Sequence, residues 1–191
     1  MKKLSIIVPV YNEINTLEII IKKLVNLNLY NNVVKEIIII DDFSTDGSSE
    51  IIKKYEEQYE FIKAYFKEKN KGKGDSQKIA KKFVTGDYVI IQDADLEYDP
   101  EDINKLLKIA IDEKKDFVIG HRVMKTTIKH PYFFFRELAV NVLSILLNIL
   151  YQTSIKDCAC CYRLFDSNLW KNIDGKADKF EYDFSIICRA V

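Results

Sequence analysis

The sequence predicts an α/β fold with a mostly parallel sheet that helices cover on both faces. Short apolar, β-branched runs alternate along the chain with segments of helical spacing. The loops that follow the apolar runs are rich in acidic residues or glycine. Strands that alternate with helices form parallel sheets, because a parallel pair needs a long crossover connection. In such sheets ligands bind at the carboxyl ends of the strands.

The first half of the chain predicts three strand–helix pairs. Each strand is a short run rich in Ile, Val, Leu or Phe that acidic or turn-forming residues end. Each helix places apolar side chains three or four positions apart, as at Leu17, Ile20 and Leu24. The predicted strands cover residues 4–10, 36–40 and 61–66, and the predicted helices cover residues 15–27, 48–59 and 74–84.

The second half predicts two further strands and two helices. The apolar runs at 88–92 and 116–119 are the fourth and fifth strands. Pro100 opens a helix that reaches residue 112, because proline fits the first turn of a helix. A long apolar helix follows at 133–151. No internal repeat or linker divides the chain, so we expect one domain over residues 1–191.

Polar residues mark one side of the 133–151 helix. Glu137, Asn141, Ser144 and Asn148 recur at spacings of four, three and four, which makes the helix amphipathic. These residues argue against a simple transmembrane helix, although the length is close to what a bilayer needs. Two interpretations remain open: the apolar side packs against the domain, or it lies in a membrane interface.

Composition excludes several classes of protein. The 29 basic and 29 acidic side chains cancel, so no overall field recruits nucleic acid. Three of the four cysteines crowd into residues 158–161, which is unlike the spaced framework of a secreted disulfide protein. Cys158 and Cys161 have Cys-x-x-Cys spacing but no second pair or nearby His, which favours packing thiols over a zinc site. The first residues do not form a signal peptide, and we expect a cytoplasmic location.

Two carboxylates follow the fourth predicted strand. Asp93 and Asp95 are alternate residues, so their side chains leave the strand on the same side. Hard oxygen ligands suit Mg²⁺ or Mn²⁺, and such ions commonly bridge protein carboxylates to substrate phosphates. The pair therefore indicates a nucleotide-diphosphate substrate. The alternative is an acidic turn that caps the helix opened by Pro100.

The loops after the other strands suit the remaining parts of a nucleotide. Pro9 and Tyr11 offer a rigid turn and an aromatic face for a base, and Glu13 can accept a hydrogen bond from base or ribose. Carboxylates at the end of the second strand, Asp41 and Asp42, take the place from which doubly wound folds contact a ribose. The glycine-rich loop joins backbone N–H groups to cationic side chains, which suits a phosphate. Its candidate residues are Lys71, Lys73 and Gly74.

Together these loops form five motifs in order, the last being Gly120-His-Arg122. The series resembles the family 2 inverting glycosyltransferases with a GT-A fold, and among them the dolichyl- or polyprenyl-phosphate sugar synthases. The resemblance covers nearly the whole chain. It implies a nucleotide-sugar-binding half at 1–122 and an acceptor half at 123–191. The glycine-rich loop lacks the Walker A pattern, which disfavours ATP hydrolysis.

The resemblance also implies roles for individual residues. Asp93, Ala94 and Asp95 would face the nucleotide and the metal, and Glu97 would help to coordinate where many relatives carry glutamine. The implied catalytic residues are Asp95, Arg122, Arg136 and Asp157, and the implied acceptor residues are Arg122, Arg136 and Arg163. Ser185 departs from the family, because relatives place a glutamate there.

The implied activity is transfer of a hexose from GDP-mannose or UDP-glucose to a polyprenyl or dolichyl phosphate, with Mg²⁺ or Mn²⁺ as cofactor. The implied location is the cytoplasmic face of a membrane, where the protein would be peripheral. Two alternatives stay open. One is transfer to a saccharide or glycoprotein hydroxyl with Asp157 or Asp183 as base, and the other is a non-catalytic nucleotide-sugar-binding protein.

Overall fold

In a computed structural model of the protein, residues 1–121, 131–173, 186, 187 and 190 are described, with backbone only for 131–137. Six strands and six α-helices have defined bounds in these ranges. The strands are β1 (Lys3–Val10), β2 (Val34–Asp41), β3 (Ile62–Phe66), β4 (Tyr88–Ile91), β5 (Phe117–Ile119) and β6 (Arg163–Asp166). The helices are α1 (Leu17–Asn26), α2 (Ser48–Gln58), α3 (Lys73–Ala80), α4 (Ile103–Asp112), α5 (Pro131–Tyr151) and α6 (Ser167–Asn172).

The strands form one mostly parallel sheet in the order β3-β2-β1-β4-β6-β5. The pairs among β1, β2, β3 and β4 are all parallel, and β6 is antiparallel to both of its neighbours. The predicted α/β fold class is confirmed. The carboxyl ends of β1, β2, β3 and β4 consequently meet at one edge of the sheet.

Apolar layers cover both faces of the sheet, as expected for parallel strands. Along β1 the side chains alternate: Ile6 and Val8 join the core cluster that contains residues of α1, α2 and α4, and Ile7 joins the opposite cluster. The second cluster contains Ala80 of α3 and the fully buried Trp170 of α6. Burial on both faces explains why the central strands are almost continuous apolar runs.

Strand β6 and helix α6 were not predicted. The Arg163–Asp166 strand has only two apolar residues and no alternation, so periodicity gives no strand signal there. It nevertheless lies between β4 and β5, with Leu164 and Phe165 fully buried. The strand thus comes from the proposed acceptor half but completes the sheet of the first half, and the division at residue 122 stays a prediction.

Two predicted helices differ from the structure by more than two residues at one end. Helix α3 ends at Ala80 rather than at residue 84, because the N–H groups of Lys82 and Phe83 bond three residues back and tighten the chain into a turn. The helix expected from Pro100 begins as a 3-10 turn over Pro100–Asp102, and α4 starts at Ile103.

Ser144 and Asn148 of helix α5 face the domain together with Leu147, while Asn141 is exposed. The buried Ser144 Oγ accepts the Cys158 N–H at 3.1 Å. Asn148 Oδ1 accepts the N–H of Ile155 at 2.8 Å, and Asn148 Nδ2 donates to Ile155 O at 2.9 Å. Large apolar side chains are exposed on the other side; they are Leu138, Val142, Leu143, Ile145, Leu146, Ile149, Leu150 and Tyr151. Across the described residues, we find no helix with the length and apolar character to cross a membrane.

Candidate active site

A cleft of about 470 Å³ lies at the carboxyl ends of the strands, where the sequence places its motifs. Most of the predicted nucleotide and metal residues line it; these are Pro9, Tyr11, Glu13, Asp42, Lys73, Asp93, Ala94, Asp95 and Glu97. Five further lining residues were not among the predicted site residues, namely Val10, Asn70, Gly72, Ser76 and Cys161. Asp41, Lys71 and Gly74 do not line the cleft.

The β1 loop forms one wall of the cleft and is held to the loop after β2. Asn12 takes a left-handed conformation with φ 55°, which asparagine tolerates better than most residues. Its N–H donates to Ser44 Oγ at 3.0 Å, and its Oδ1 accepts the Thr45 N–H at 2.8 Å. These bonds hold the preceding Tyr11 with about half of its surface exposed, so its ring is available to a flat ligand.

The two aspartates at the end of β2 have different surroundings. Asp41 is buried, where its carboxylate accepts hydrogen bonds from Ser44 N–H and from the Ser49 hydroxyl. Asp42 faces the glycine-rich loop and accepts the N–H of Lys71 at 2.9 Å and of Gly72 at 2.7 Å. Asp41 thus shapes its own turn, while Asp42 fixes the loop that lines the cleft.

The glycine-rich loop turns sharply into α3. Gly72 has φ 91°, a conformation that side chains strongly disfavour, and α3 begins at the next residue, Lys73. The first N–H groups of a helix lack intrahelical partners and carry partial positive charge. This end of α3 borders the cleft through Gly72, Lys73 and Ser76, so it can interact with an anion there.

A buried polar network supports the acidic loop after β4. Gln92, fully buried, donates through Nε2 to Asp93 O at 3.0 Å and to Tyr98 O at 3.1 Å. Its Oε1 accepts from Tyr162 Oη at 2.9 Å. The Tyr98 and Tyr162 rings stack with centroids 5.0 Å apart, and burial raises the pKa of both hydroxyls, which therefore stay protonated. Gln92 was missed as a site residue, although a polar residue at the end of an apolar strand was the signal.

Carboxylates predominate over cations in the cleft. Among the described lining residues, one lysine faces the carboxylates of Glu13, Asp42, Asp93, Asp95 and Glu97. Lys73 Nζ lies 2.5 Å from Asp93 Oδ1, and Asp95 Oδ1 accepts the Glu97 N–H at 3.0 Å. A cation thus already sits against the carboxylate that is predicted to bind a metal.

The residues fit a divalent cation as a partial set of ligands. Asp93 and Asp95 supply hard oxygen atoms in one cleft, which suits Mg²⁺ or Mn²⁺. Within the described ranges, however, no group of three acidic, His or Cys side chains converges into a metal site. Magnesium-type ions commonly take their remaining ligands from water and substrate phosphates, so two carboxylates are sufficient protein ligands.

The predicted acceptor residues lie apart from the cleft or outside the described residues. Asp157 is buried and accepts the Ala159 N–H at 3.0 Å. Arg163 is buried in β6, where its Nε donates to Cys160 O at 2.8 Å. Arg122 and the side chain of Arg136 lie outside the described residues, and so do Asp183 and Ser185. The acceptor roles of these residues stay predictions.

The family described as "Glycosyl transferase family 2" matches residues 5–173 of the chain. The chain belongs to this family. An undecaprenyl-phosphate 4-deoxy-4-formamido-L-arabinose transferase of Photorhabdus laumondii is 30% identical over 166 residues, which are 86% of this chain and 49% of the relative. A cholesterol galactosyltransferase of Borreliella burgdorferi is 44% identical over 93 residues, which are 49% of this chain and 25% of the relative. The chain thus spans about half the length of the undecaprenyl-phosphate relative.

Solved structures of glycosyltransferases share the fold. Staphylococcus aureus TarS 1–349 has a TM-score of 0.67 at 20% identity over 98% of this chain and 55% of that chain. Glucosyl-3-phosphoglycerate synthase from Mycobacterium tuberculosis, in complex with Mn²⁺, UDP and phosphoglyceric acid, has a TM-score of 0.69 at 18% identity, covering 97% and 63%. Mannosyltransferase PcManGT from Pyrobaculum calidifontis, in complex with GDP-Man and Mn²⁺, has a TM-score of 0.60 at 22% identity, covering 95% and 49%. The family 2 chain has the GT-A fold.

Proposed function

We propose that this family 2 glycosyltransferase moves a hexose, with inversion, from a nucleotide-diphosphate sugar to a polyprenyl phosphate. The observation that carries the proposal is the cleft itself, which joins an aromatic wall, a glycine-rich loop, a helix N-terminus and paired aspartates. GDP-mannose and UDP-glucose are the proposed donors. The 30% identical relative is named for transfer to undecaprenyl phosphate, which supports the acceptor class.

The charge of the cleft supports a cation-dependent donor. A diphosphate would meet several carboxylates and one lysine among the described lining residues, so the bare anion would be repelled. Asp93 and Asp95 would hold Mg²⁺ or Mn²⁺, with Glu97 beside them. Such an ion would supply charge neutralisation of the diphosphate as it leaves.

The residues of the chain would bind and orient the two substrates. Tyr11 and Pro9 would contact the base, and the first N–H groups of α3 would face the diphosphate. The Lys73 ammonium would stabilise the negative charge that grows on the leaving group. A lipid phosphate is already ionised near neutral pH, so its attack on the anomeric carbon needs no strong base. The resemblance to the family implies that Arg122 would bind the phosphates of donor or acceptor.

A lipid acceptor also fits the exposed side of α5. Seven aliphatic side chains and Tyr151 are exposed along this helix, while Ser144 and Asn148 bind the domain. We propose that this apolar side lies in a membrane interface at the cytoplasmic face, because a helix with one apolar side binds there without crossing. Arg136 lies on the same helix and would hold the lipid phosphate.

A hydroxyl acceptor is the second candidate, because the 44% identical relative is named as a cholesterol galactosyltransferase. The test is transfer of labelled hexose from GDP-mannose or UDP-glucose to undecaprenyl phosphate or to undecaprenol, with Mn²⁺ present. We expect transfer to the phosphate only. Transfer to undecaprenol at an equal rate would favour a hydroxyl acceptor. Donor binding without transfer to either acceptor would favour a non-catalytic nucleotide-sugar-binding protein.

A further inference from the structure

A buried lysine behind the cleft connects two elements of the donor site. Lys67 follows β3, and its side chain is only 4% exposed. Its Nζ lies 2.5 Å from Asp42 Oδ1 and 2.7 Å from Asp75 Oδ2. Ser76 Oγ lies 3.4 Å away. The ammonium therefore joins the end of β2 to the first turn of α3, and it does so without lining the cleft.

The Asp42 carboxylate connects Lys67 to the glycine-rich loop. It accepts the N–H groups of Lys71 and Gly72 while it pairs with Lys67. Gly72 has φ 91°. Glycine can take many other backbone conformations, so contacts outside the loop are needed to hold it in this one. The next residue, Lys73, reaches Asp93 across the cleft. Lys67 is thus connected to the glycine-rich loop through the Asp42 carboxylate, which binds the N–H groups of Lys71 and Gly72.

We propose that Lys67 is a positioning residue for the nucleotide diphosphate, acting through Asp42 on the glycine-rich loop; this inference rests on the proposed function. A carboxylate as buried as that of Asp42 is costly unless a cation lies beside it, and the partly exposed Asp75 carboxylate adds repulsion. Without the ammonium, the Asp42 carboxylate turns toward solvent and leaves the two loop N–H groups. The loop and the start of α3 then lose the arrangement that faces the phosphates.

The test compares Asp75→Asn with the double variant Lys67→Met/Asp75→Asn. The double variant removes one positive and one negative charge, so the cluster keeps the net charge of the wild type and folding is less at risk than with Lys67→Met alone. The Asp75→Asn variant keeps the Lys67–Asp42 pair. A matched control is Lys35→Met, because Lys35 Nζ binds Val25 O and Leu27 O at 2.6 Å at the opposite end of β2.

The measurements are calorimetric Kd values for GDP and UDP with Mn²⁺, the Kd of Mn²⁺ alone, and the thermal midpoint. We expect the double variant to bind the preferred nucleotide at least about tenfold more weakly than Asp75→Asn, with Mn²⁺ alone bound within about twofold of the wild type. Lys35→Met is expected to lower the thermal midpoint and leave the nucleotide Kd unchanged. A purely structural role for Lys67 would resemble that control.

Each other outcome overturns the inference. Equal nucleotide affinity in the wild type and both Asp75 variants would show that the loop does not depend on Lys67. A parallel loss of Mn²⁺ affinity would show general collapse of the cleft rather than positioning of the loop. Absence of nucleotide binding in the folded wild type would overturn the proposed function and this inference together.

Discussion

Lys73 Nζ and Asp93 Oδ1 lie 2.5 Å apart across the candidate active site. The lysine begins α3, and the aspartate follows β4, so the contact closes the cleft between the glycine-rich loop and the acidic loop. An ammonium there stabilises a carboxylate that the proposed metal also needs. A metal at this site would therefore compete with Lys73 for Asp93 until the lysine pairs with a donor diphosphate.

Replacement of Lys73 by methionine is expected to change metal and nucleotide binding in opposite directions. Mn²⁺ alone should bind about three- to tenfold more tightly, because its competitor for Asp93 is gone. GDP or UDP with Mn²⁺ should bind at least about tenfold more weakly, because the diphosphate loses a cation. Calorimetry measures both. Lys69→Met is the control, since Lys69 is exposed and does not line the cleft. Weaker binding of both ligands would contradict competition for Asp93.

Asp95→Ala is expected to abolish hexose transfer and Mn²⁺-dependent nucleotide binding without unfolding the domain. Asp95 is exposed, and its carboxylate accepts a local hydrogen bond from the N–H of Glu97. The thermal midpoint should therefore stay within a few degrees of the wild type. The control is Asp102→Asn, which removes an exposed carboxylate paired with Lys105 outside the cleft. Near-normal turnover by Asp95→Ala would refute the metal assignment.

The buried Glu36 carboxyl is expected to make the domain acid-sensitive. Burial alone would raise the pKa of this group. Hydrogen bonds from the Lys3 ammonium and from the Ser5 and Thr85 hydroxyls outweigh burial and lower that pKa to about 2. Because the folded pKa lies below the unfolded value, the stabilisation is present above about pH 4.5 and declines as pH falls toward 2.

Glu36→Gln tests this linkage by urea unfolding at pH 7, 4.5 and 3. At pH 7 the variant should lose unfolding free energy on the order of 3 kcal/mol, since a shift of one pKa unit is worth about 1.4 kcal/mol. The difference from the wild type should shrink as the pH falls below 4.5. Glu57→Gln removes an exposed carboxyl and should behave as the wild type. A difference that stays constant with pH would mean that the charge of Glu36 does not stabilise the fold.

Helix α5 is expected to bind membranes through its exposed apolar side. The double variant Ile145→Asp/Ile149→Asp should weaken binding to vesicles that contain undecaprenyl phosphate by at least about tenfold, because two exposed apolar side chains that would enter the membrane interface become charged. Vesicle co-sedimentation measures the change. Ile19→Asp on α1 is the control, as Ile19 is also exposed but lies on a different helix. Equal sedimentation of all three proteins would exclude this side of α5 as the membrane contact.

Much of the fold could be predicted from the sequence because its central strands are buried on both faces. Residues 4–10 and 36–40 are mostly apolar, and their ends are marked by the motifs that line the cleft. Strand β6 could not be predicted in this way, since a four-residue segment with two apolar side chains is stabilised by its neighbours β4 and β5.

Hydrogen bonds and ion pairs between residues that are distant in sequence could not be predicted. The spacing of Ser144 and Asn148 predicted an amphipathic helix but not which side faces the domain, because their hydrogen-bond partners at 155 and 158 lie in a separate segment. Lys67 gave no signal at all among the many lysines of the chain. Its role follows from the distances to Asp42 and Asp75, which only the tertiary structure brings together.

The most direct test of the proposed function is calorimetric titration of the wild-type chain with GDP, UDP, GDP-mannose and UDP-glucose, each with and without Mn²⁺. We predict that one nucleotide binds together with its nucleotide-sugar, either GDP and GDP-mannose or UDP and UDP-glucose. Binding should require Mn²⁺, because carboxylates predominate in the cleft. Absence of binding by all four ligands in a chain shown to be folded would contradict a functional nucleotide-sugar site.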